Sequence, residues 1–271
     1  MPELPEAIYQ HPSDYDLEHV GDTDDIKFFV SLLNRLKPQR VLELACGNGR
    51  VSLPLAEAGA KQGFDVVGLE LVPEMLEAAR QKRGEAAPEI QDRLELLEGD
   101  MRSWSTAQPF DMIVTPCSSV CHLLTLDDQL ATWRCAYNNL MPGGRFIVDV
   151  TMADQGAYAD SFRTPARELV EIDLDTFDEA TSTRLIRYKT TRYLAHEQRA
   201  RIRFLYDKYE GEGQPQRSIS DFESHVYYPR EMQLLFMHTG FQVETVYGDY
   251  QWRPLKPASP QMIFCGVNPT G

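Results

Sequence analysis

The chain has 271 residues, 42% of them hydrophobic and 25% charged, and a formal net charge of −14. Those proportions suit one large globular domain, or one domain with a substantial insertion. The acidic balance speaks against a nucleic-acid partner, because no excess of Lys and Arg exists to replace phosphate counterions. The cysteines at 46, 117, 121, 135 and 265 form no C-x-x-C pair and read as reduced thiols. No apolar run approaches the length of a membrane span, and the acidic start lacks the apolar core of a signal peptide. A cytoplasmic setting with no membrane partner is therefore expected.

Residues 1–23 are rich in Pro and Asp, show no period, and are expected to run across the surface. Tyr9, His11 and Tyr15 are the side chains there able to reach a site. Apolar residues at Ile26, Phe29, Leu32, Leu33 and Leu36 then follow helical spacing, and Pro38 stops that helix. From residue 40 strands and helices alternate, the mark of βαβ units on a parallel sheet. Strands are predicted at 41–45, 65–70, 94–97, 110–114 and 145–150. Pro73 suits the first turn of the helix after the second strand, where its missing N–H is no loss. Thr125 with Asp128 resembles a capping box for a helix that Pro142-Gly143-Gly144 ends.

The texture changes after residue 151. Alternating β-branched and aromatic residues over 183–194, 200–208 and 217–228, joined through a Gly/Pro turn at 210–215, predict antiparallel strands. Residues 165–228 are read as a sheet inserted into a single domain spanning 1–271, with 1–37 as an N-terminal lid and helix. Arg184, Arg187, Lys189, Arg192, Arg199, Arg201 and Arg203 alternate along these strands as a solvated face would. Pro229 starts another helix, closed by Gly240, and strands at 241–247 and 261–267 finish the chain.

The stretch Arg40-Val41-Leu42-Glu43-Leu44-Ala45-Cys46-Gly47-Asn48-Gly49-Arg50 is an apolar strand breaking into a glycine turn, the ligand crevice of an open α/β sheet. A dinucleotide site wants a third glycine, and Ser52 stands there instead. It would also not want the acid Glu43 beside a pyrophosphate. Glu70 lies 21 residues beyond Gly49, at the distance that suits a ribose hydroxyl. A ligand with a cationic end and no phosphate fits these residues better.

Five stretches in register carry a resemblance. They are Glu43-Leu44-Ala45-Cys46-Gly47-Asn48-Gly49, Gly68-Leu69-Glu70 with Pro73-Glu74-Met75-Leu76, Gly99-Asp100-Met101-Arg102, Phe110-Asp111-Met112-Ile113-Val114, and Leu140-Met141-Pro142-Gly143-Gly144-Arg145. Together they resemble the class I S-adenosylmethionine-dependent methyltransferases of small molecules, over about residues 15–150 and the closing helix and strands. The resemblance implies an α/β fold with a Rossmann-like seven-stranded, mostly parallel sheet, helices on both faces, and an antiparallel sheet inserted after the fifth strand. It places Glu43, Ala45, Cys46, Gly47, Gly49, Glu70, Leu71, Asp100, Met101 and Pro116 at the cofactor. Glu70 would accept the ribose hydroxyls, Asp100 would take the adenine amino group, and Leu71 and Met101 would flank the ring.

The acceptor is expected beyond the fourth strand, near 115–123, where no Asn-Pro-Pro-Tyr motif of base or amide methylation occurs. The layout is similar to amino-sugar N,N-dimethyltransferases and glycine N-methyltransferases, which makes Tyr15 and His122 the catalytic candidates on a nitrogen or oxygen nucleophile. Cys117, Cys121 and His122 lack the paired spacing of a metal site, so no metal is expected. Tyr206, His225, Tyr227, Tyr228, Arg230 and Trp252 could line a pocket or simply pack. The inserted sheet would roof the acceptor or form a homodimer contact. Two alternatives remain at this point: a non-catalytic module that only binds S-adenosylmethionine, and an NAD-dependent oxidoreductase.

Overall fold

The computed structural model of the protein describes residues 12–165, 167–211 and 213–269; Tyr9 and His11 lie outside them. The described residues divide into two compact units. One runs from Thr23 to Met152 and resumes at Tyr227. The other comprises the chain up to Asp22 together with Ala153–Val226.

The larger unit is built on seven strands: β1 (Arg40–Leu44), β2 (Asp65–Glu70), β3 (Leu94–Glu98), β4 (Phe110–Thr115), β5 (Leu140–Thr151), β10 (Gln242–Tyr247) and β11 (Gln261–Val267), with β6–β9 in the other unit. Their order across the sheet is β10-β11-β5-β4-β1-β2-β3, and β11 runs antiparallel to both neighbours. The chain steps from β1 to β2 to β3, then returns to lay β4 on the other side of β1. The strand order therefore reverses between β1 and β4, the place where open α/β sheets bind their ligands, outside the carboxyl ends of the strands. Both faces of the central strands are buried: Val41, Leu42, Leu44, Ile113 and Val114 are closed to solvent. Helix α2 (Asp24–Leu36) buries Phe28, Phe29, Leu32 and Leu33, and Lys37 ends it in the left-handed conformation with its N–H on the Leu33 carbonyl. Thr125 caps α6 (Leu126–Asn139) by accepting the Asp128 N–H at 3.2 Å.

One boundary differs from expectation. The fifth strand begins at Leu140 rather than Arg145, because Leu140 pairs with Phe110 and the register then slips before Met112 meets Arg145. Pro142-Gly143-Gly144 is thus accommodated inside the strand, where the Gly143 N–H reaches the Asn268 carbonyl and the Asn268 N–H reaches that of Gly144, both at 2.8 Å. Glycine at 143 is required by its φ of +80°.

The smaller unit is a four-stranded antiparallel sheet in the order β6 (Glu171–Asp178), β7 (Thr183–Leu194), β8 (Arg199–Glu210) and β9 (Gln216–His225). Its cross-strand partners put opposite charges side by side, as Arg203 with Asp221 and Arg201 with Glu223. Arg184, Arg192, Arg199, Arg201 and Arg203 are thus paired with acids on one face, while Arg187 and Lys189 lie on the other, where both reach Asp173.

The N-terminal segment is where expectation fails. Residues 12–18 form helix α1 (Pro12–Glu18), which covers Leu185, Phe204 and Tyr206 with Leu17. Glu18 is buried and receives the Arg187 guanidinium, and Lys208 reaches Asp14 at 3.0 Å. Arg187 bridges Glu18 to Asp173, so α1 is tied to the sheet across most of the chain's length. A short helix α7 (Gln155–Ser161), capped by Asp154, also joins this unit unannounced by the sequence pattern.

Candidate functional site

The chain leaves β1 through Ala45 at φ +56°, then passes Gly47 at +57° and Gly49 at +82° before α3 (Ser52–Gln62) begins. Three left-handed residues in five turn the backbone sharply, and the N–H groups of Cys46, Gly47 and Gly49 go to the Leu69 carbonyl, the Glu70 carboxylate and the Cys46 carbonyl. A Cβ on Gly47 would come within 3.3 Å of the Met75 methyl, so the turn lies tight against α4 (Pro73–Glu85). Gly68 in β2 is needed for another reason: a Cβ there would meet the Cys46 sulfur at 2.7 Å.

Two carboxylates flank this turn. Glu43 is buried and accepts the Ser52 hydroxyl. The two departures from a dinucleotide motif, an acid at 43 and a serine at 52, are therefore the two ends of one hydrogen bond. Burial pushes the Glu43 carboxyl up to about 8, against the smaller opposing pull of Ser52 and Arg50. Glu70 closes β2 and spans two loops. Its Oε2 accepts the Gly47 N–H at 2.8 Å, and its Oε1 accepts the N–H groups of Leu71 and Val72 at 2.9 and 2.8 Å. Oε1 thus has both lone pairs engaged, while Oε2 keeps one for a ligand. Burial raises the Glu70 carboxyl and the three amides hold it down. Leu71 is half-buried beside it, and Cys46 is buried.

Asp100 follows β3 and faces Arg102. The Arg102 Nε, Nη2 and backbone N–H all reach its carboxylate between 2.6 and 3.0 Å, and Arg102 Nη1 continues to Asp128 at 2.9 Å. The guanidinium holds Asp100 below the usual carboxylate range. An adenine amino group at Asp100 would have to share oxygens that Arg102 already occupies. Met101 packs against the core that contains Leu69 and Trp133.

The loop after β4 starts at the buried Pro116 and continues through Cys117 and Ser118 at φ +56° and +59°, two consecutive left-handed residues without glycine. A single 3₁₀ turn, Ser119–His122, follows. Burial lowers the His122 imidazole below its ordinary range, which favours the neutral ring. Tyr15 belongs to the smaller unit, on α1, with its ring against His19 at 4.3 Å between centroids.

The remaining candidates separate by burial. Tyr227 packs against Trp133 and donates to the Val120 carbonyl at 3.1 Å, and Trp252 stacks on Phe28. Tyr206 and His225 are buried in the smaller unit, while Tyr228 and Arg230 are exposed. Among the described residues no group of three or more Cys, His, Asp and Glu has the geometry of a metal site.

A polar cluster beside the turn was not foreseen. Arg50 and Asp25 form a buried ion pair, Arg50 also reaches the Cys117 sulfur at 2.7 Å, and Cys117 donates to Asp25 at 3.2 Å. Asp149 in β5 accepts the Tyr250 hydroxyl at 2.7 Å and the Cys117 N–H at 3.4 Å. The signal was present in the sequence: Asp149 interrupts Phe146-Ile147-Val148, as Glu43 interrupts its own apolar strand.

Residues 41–144 match the family of methyltransferase domains. The Bacillus subtilis protein YqeM is 37% identical over 112 residues, which cover 41% of this chain and 42% of that protein. The chain thus spans under half the length of that curated relative. The dTDP-3-amino-3,4,6-trideoxy-alpha-D-glucopyranose N,N-dimethyltransferase of Streptomyces venezuelae is 29% identical over 186 residues, covering 65% of this chain and 73% of the relative. Among solved structures, Streptomyces venezuelae DesVI superposes with a TM-score of 0.73 at 22% identity, covering 96% of this chain and 98% of that one.

Proposed function

We propose, from a chain whose residues 41–144 carry a methyltransferase domain, that the protein transfers a methyl group from S-adenosylmethionine to a small-molecule amine. The observation that carries this reading is the pair of buried carboxylates, Glu43 and Glu70, on either side of the Gly47 turn. Arg50, the basic side chain at the turn, is held by Asp25, so nothing there compensates a pyrophosphate. The donor set fits a nucleoside with a cationic amino-acid end. Glu70 Oε2 meets a ribose hydroxyl, and the Ala45–Gly49 turn borders the methionine part. Asp100 and Met101 lie toward the adenine, with Leu71 on its other face and Pro116 bordering the methyl side.

S-adenosylmethionine supplies an electrophilic methyl on a sulfonium, which leaves by in-line displacement. The protein's share is to hold the nucleophile in line and remove its proton. His122, kept neutral by burial, is the proton acceptor in this reading. A base that must be neutral gives an acidic limb in the rate profile below the ordinary histidine value near 6.5. An amine acceptor is favoured by the N,N-dimethyltransferase relative in Streptomyces venezuelae. Among the described residues no helix is long and apolar enough to cross a membrane. A homodimer through the antiparallel sheet is supported by the row Ile172, Tyr188, Leu205 and Ile219, which lies across four strands with Ile172 and Ile219 exposed.

Calorimetry with S-adenosylmethionine and with NAD tests the cofactor: micromolar affinity for the first and none for the second is expected, and the reverse would sink the reading. Release of S-adenosylhomocysteine with a panel of nucleotide-linked amino sugars and simple amines tests turnover. Silence across that panel with intact cofactor binding would favour a module that only binds the cofactor. Light scattering tests the dimer.

A further inference from the structure

We propose that Asp149, held by Tyr250, is a positioning residue that fixes the direction in which the loop 116–122 leaves β4, and with it the placement of His122. The proposal rests on the methyltransferase reading for the meaning of that loop, but its geometry stands apart from it.

Cys117 and Ser118 occupy consecutive left-handed conformations, which cost of order 1 kcal/mol each for residues with a Cβ. Such a pair persists only if its surroundings hold it. One residue takes both amides: the Asp149 carboxylate accepts the Cys117 N–H at 3.4 Å, and the Asp149 backbone carbonyl accepts the Ser118 N–H at 3.1 Å. Two residues on, the Thr151 N–H reaches the Ser118 hydroxyl at 2.9 Å. The carboxylate is itself fixed by the Tyr250 hydroxyl on the same Oδ2, at 2.7 Å. Tyr250 is anchored in turn against Phe28 of α2. From the other side Arg50, next to Gly49, reaches the Cys117 sulfur. A continuous set of contacts thus runs from the glycine turn through Cys117 to β5.

A clamp needing only acceptors could be an asparagine. Asp149 keeps an acid although Oδ1 is buried with no hydrogen-bond partner. The charged groups facing it are Arg50, which favours ionisation, and Asp25, which opposes it; Tyr250 and Cys117 donate to it. Burial outweighs these and pushes the carboxyl up to about 7. Oδ2 accepts more strongly when the group is ionised, so the clamp tightens as pH rises through that value.

Amide hydrogen exchange on the full chain tests this, with Asp149→Ala, Asp149→Asn and Tyr250→Phe, alongside S-adenosylmethionine calorimetry. Asp149→Ala and Tyr250→Phe should speed exchange at 117 and 118 about fivefold after correction for intrinsic rates, with β1 and β4 unchanged. Asp149→Asn should keep the protection and abolish its change between pH 6 and 8. Unchanged exchange at 117 and 118 in Asp149→Ala overturns the proposal. A loss spread over the whole seven-stranded sheet also overturns it, since Asp149 would then serve the fold. Absence of cofactor binding in the unaltered protein would instead overturn the methyltransferase reading and leave the exchange result standing.

Discussion

In the seven-stranded unit Glu43, Glu70 and Asp149 are pushed above the ordinary carboxylate range by burial toward the carboxyl ends of β1, β2 and β5. In the antiparallel unit Asp175, Asp207, Asp221 and Glu223 are held below it by arginines across the strands. The same residue types therefore do different work. An acid paired with arginine on an open face stabilises its charge cheaply and contributes little else. An acid sunk at a strand end without an ion-pair partner of its own lowers stability and is kept for what it binds. Glu18 departs from the pattern of its own unit: burial pushes its carboxyl up, although Arg187, to which it fastens α1, pulls the other way.

The contrast can be broken at its strongest point first. Asp25→Ala leaves the buried Arg50 guanidinium without its carboxylate, and urea unfolding should show a loss of about 4 kcal/mol. Glu70→Ala strips the acceptor from three amides and, in the proposed site, from the ribose. Its S-adenosylmethionine affinity should fall about a hundredfold by calorimetry while circular dichroism stays native, and unchanged affinity would displace the ribose from Glu70. Glu43→Gln works in the opposite direction. The folded protein holds a proton on Glu43 that the unfolded chain releases between pH 4.5 and about 8, so stability falls across that window as pH rises. The glutamine variant should gain roughly 2 kcal/mol over the unaltered protein at pH 8 and nothing below pH 4.5, read from urea midpoints. A gain of equal size at both pH values would mean packing, not ionisation. Arg203→Ala, which opens an exposed pair with Asp221, should leave the urea midpoint where it was.

Much of this was legible because parallel strands are near-continuous apolar runs. The runs at 41–44, 65–69 and 110–115 announce themselves, and the acids within or after them mark the crevice. The pairing of Glu43 with Ser52 could be suspected from two departures at once, though only the structure joins them. The Arg102 clamp on Asp100 was invisible, since nothing in Gly99-Asp100-Met101-Arg102 says that the guanidinium folds back. The cluster of Asp25, Arg50, Cys117, Asp149 and Tyr250 draws on five separate elements, and no local window contains it. Helix α1 escaped for the same reason. Its seven residues include Pro and three acids, and what makes it a helix is the surface that Leu17 and Glu18 cover far along the chain.

That tie between α1 and β7 bears on how the chain assembles as it is made. Glu18 and Arg187 are 169 residues apart, and Lys208 meets Asp14 across 194. A helix of seven residues has no stability alone, so Pro12–Glu18 waits uncommitted while β1 to β5 are synthesised after it. Closing so long a loop costs only slightly more than closing a short one, because the entropy grows with the logarithm of length. The penalty falls on time rather than on equilibrium: the antiparallel sheet displays Leu185, Phe204 and Tyr206 until α1 returns to cover them.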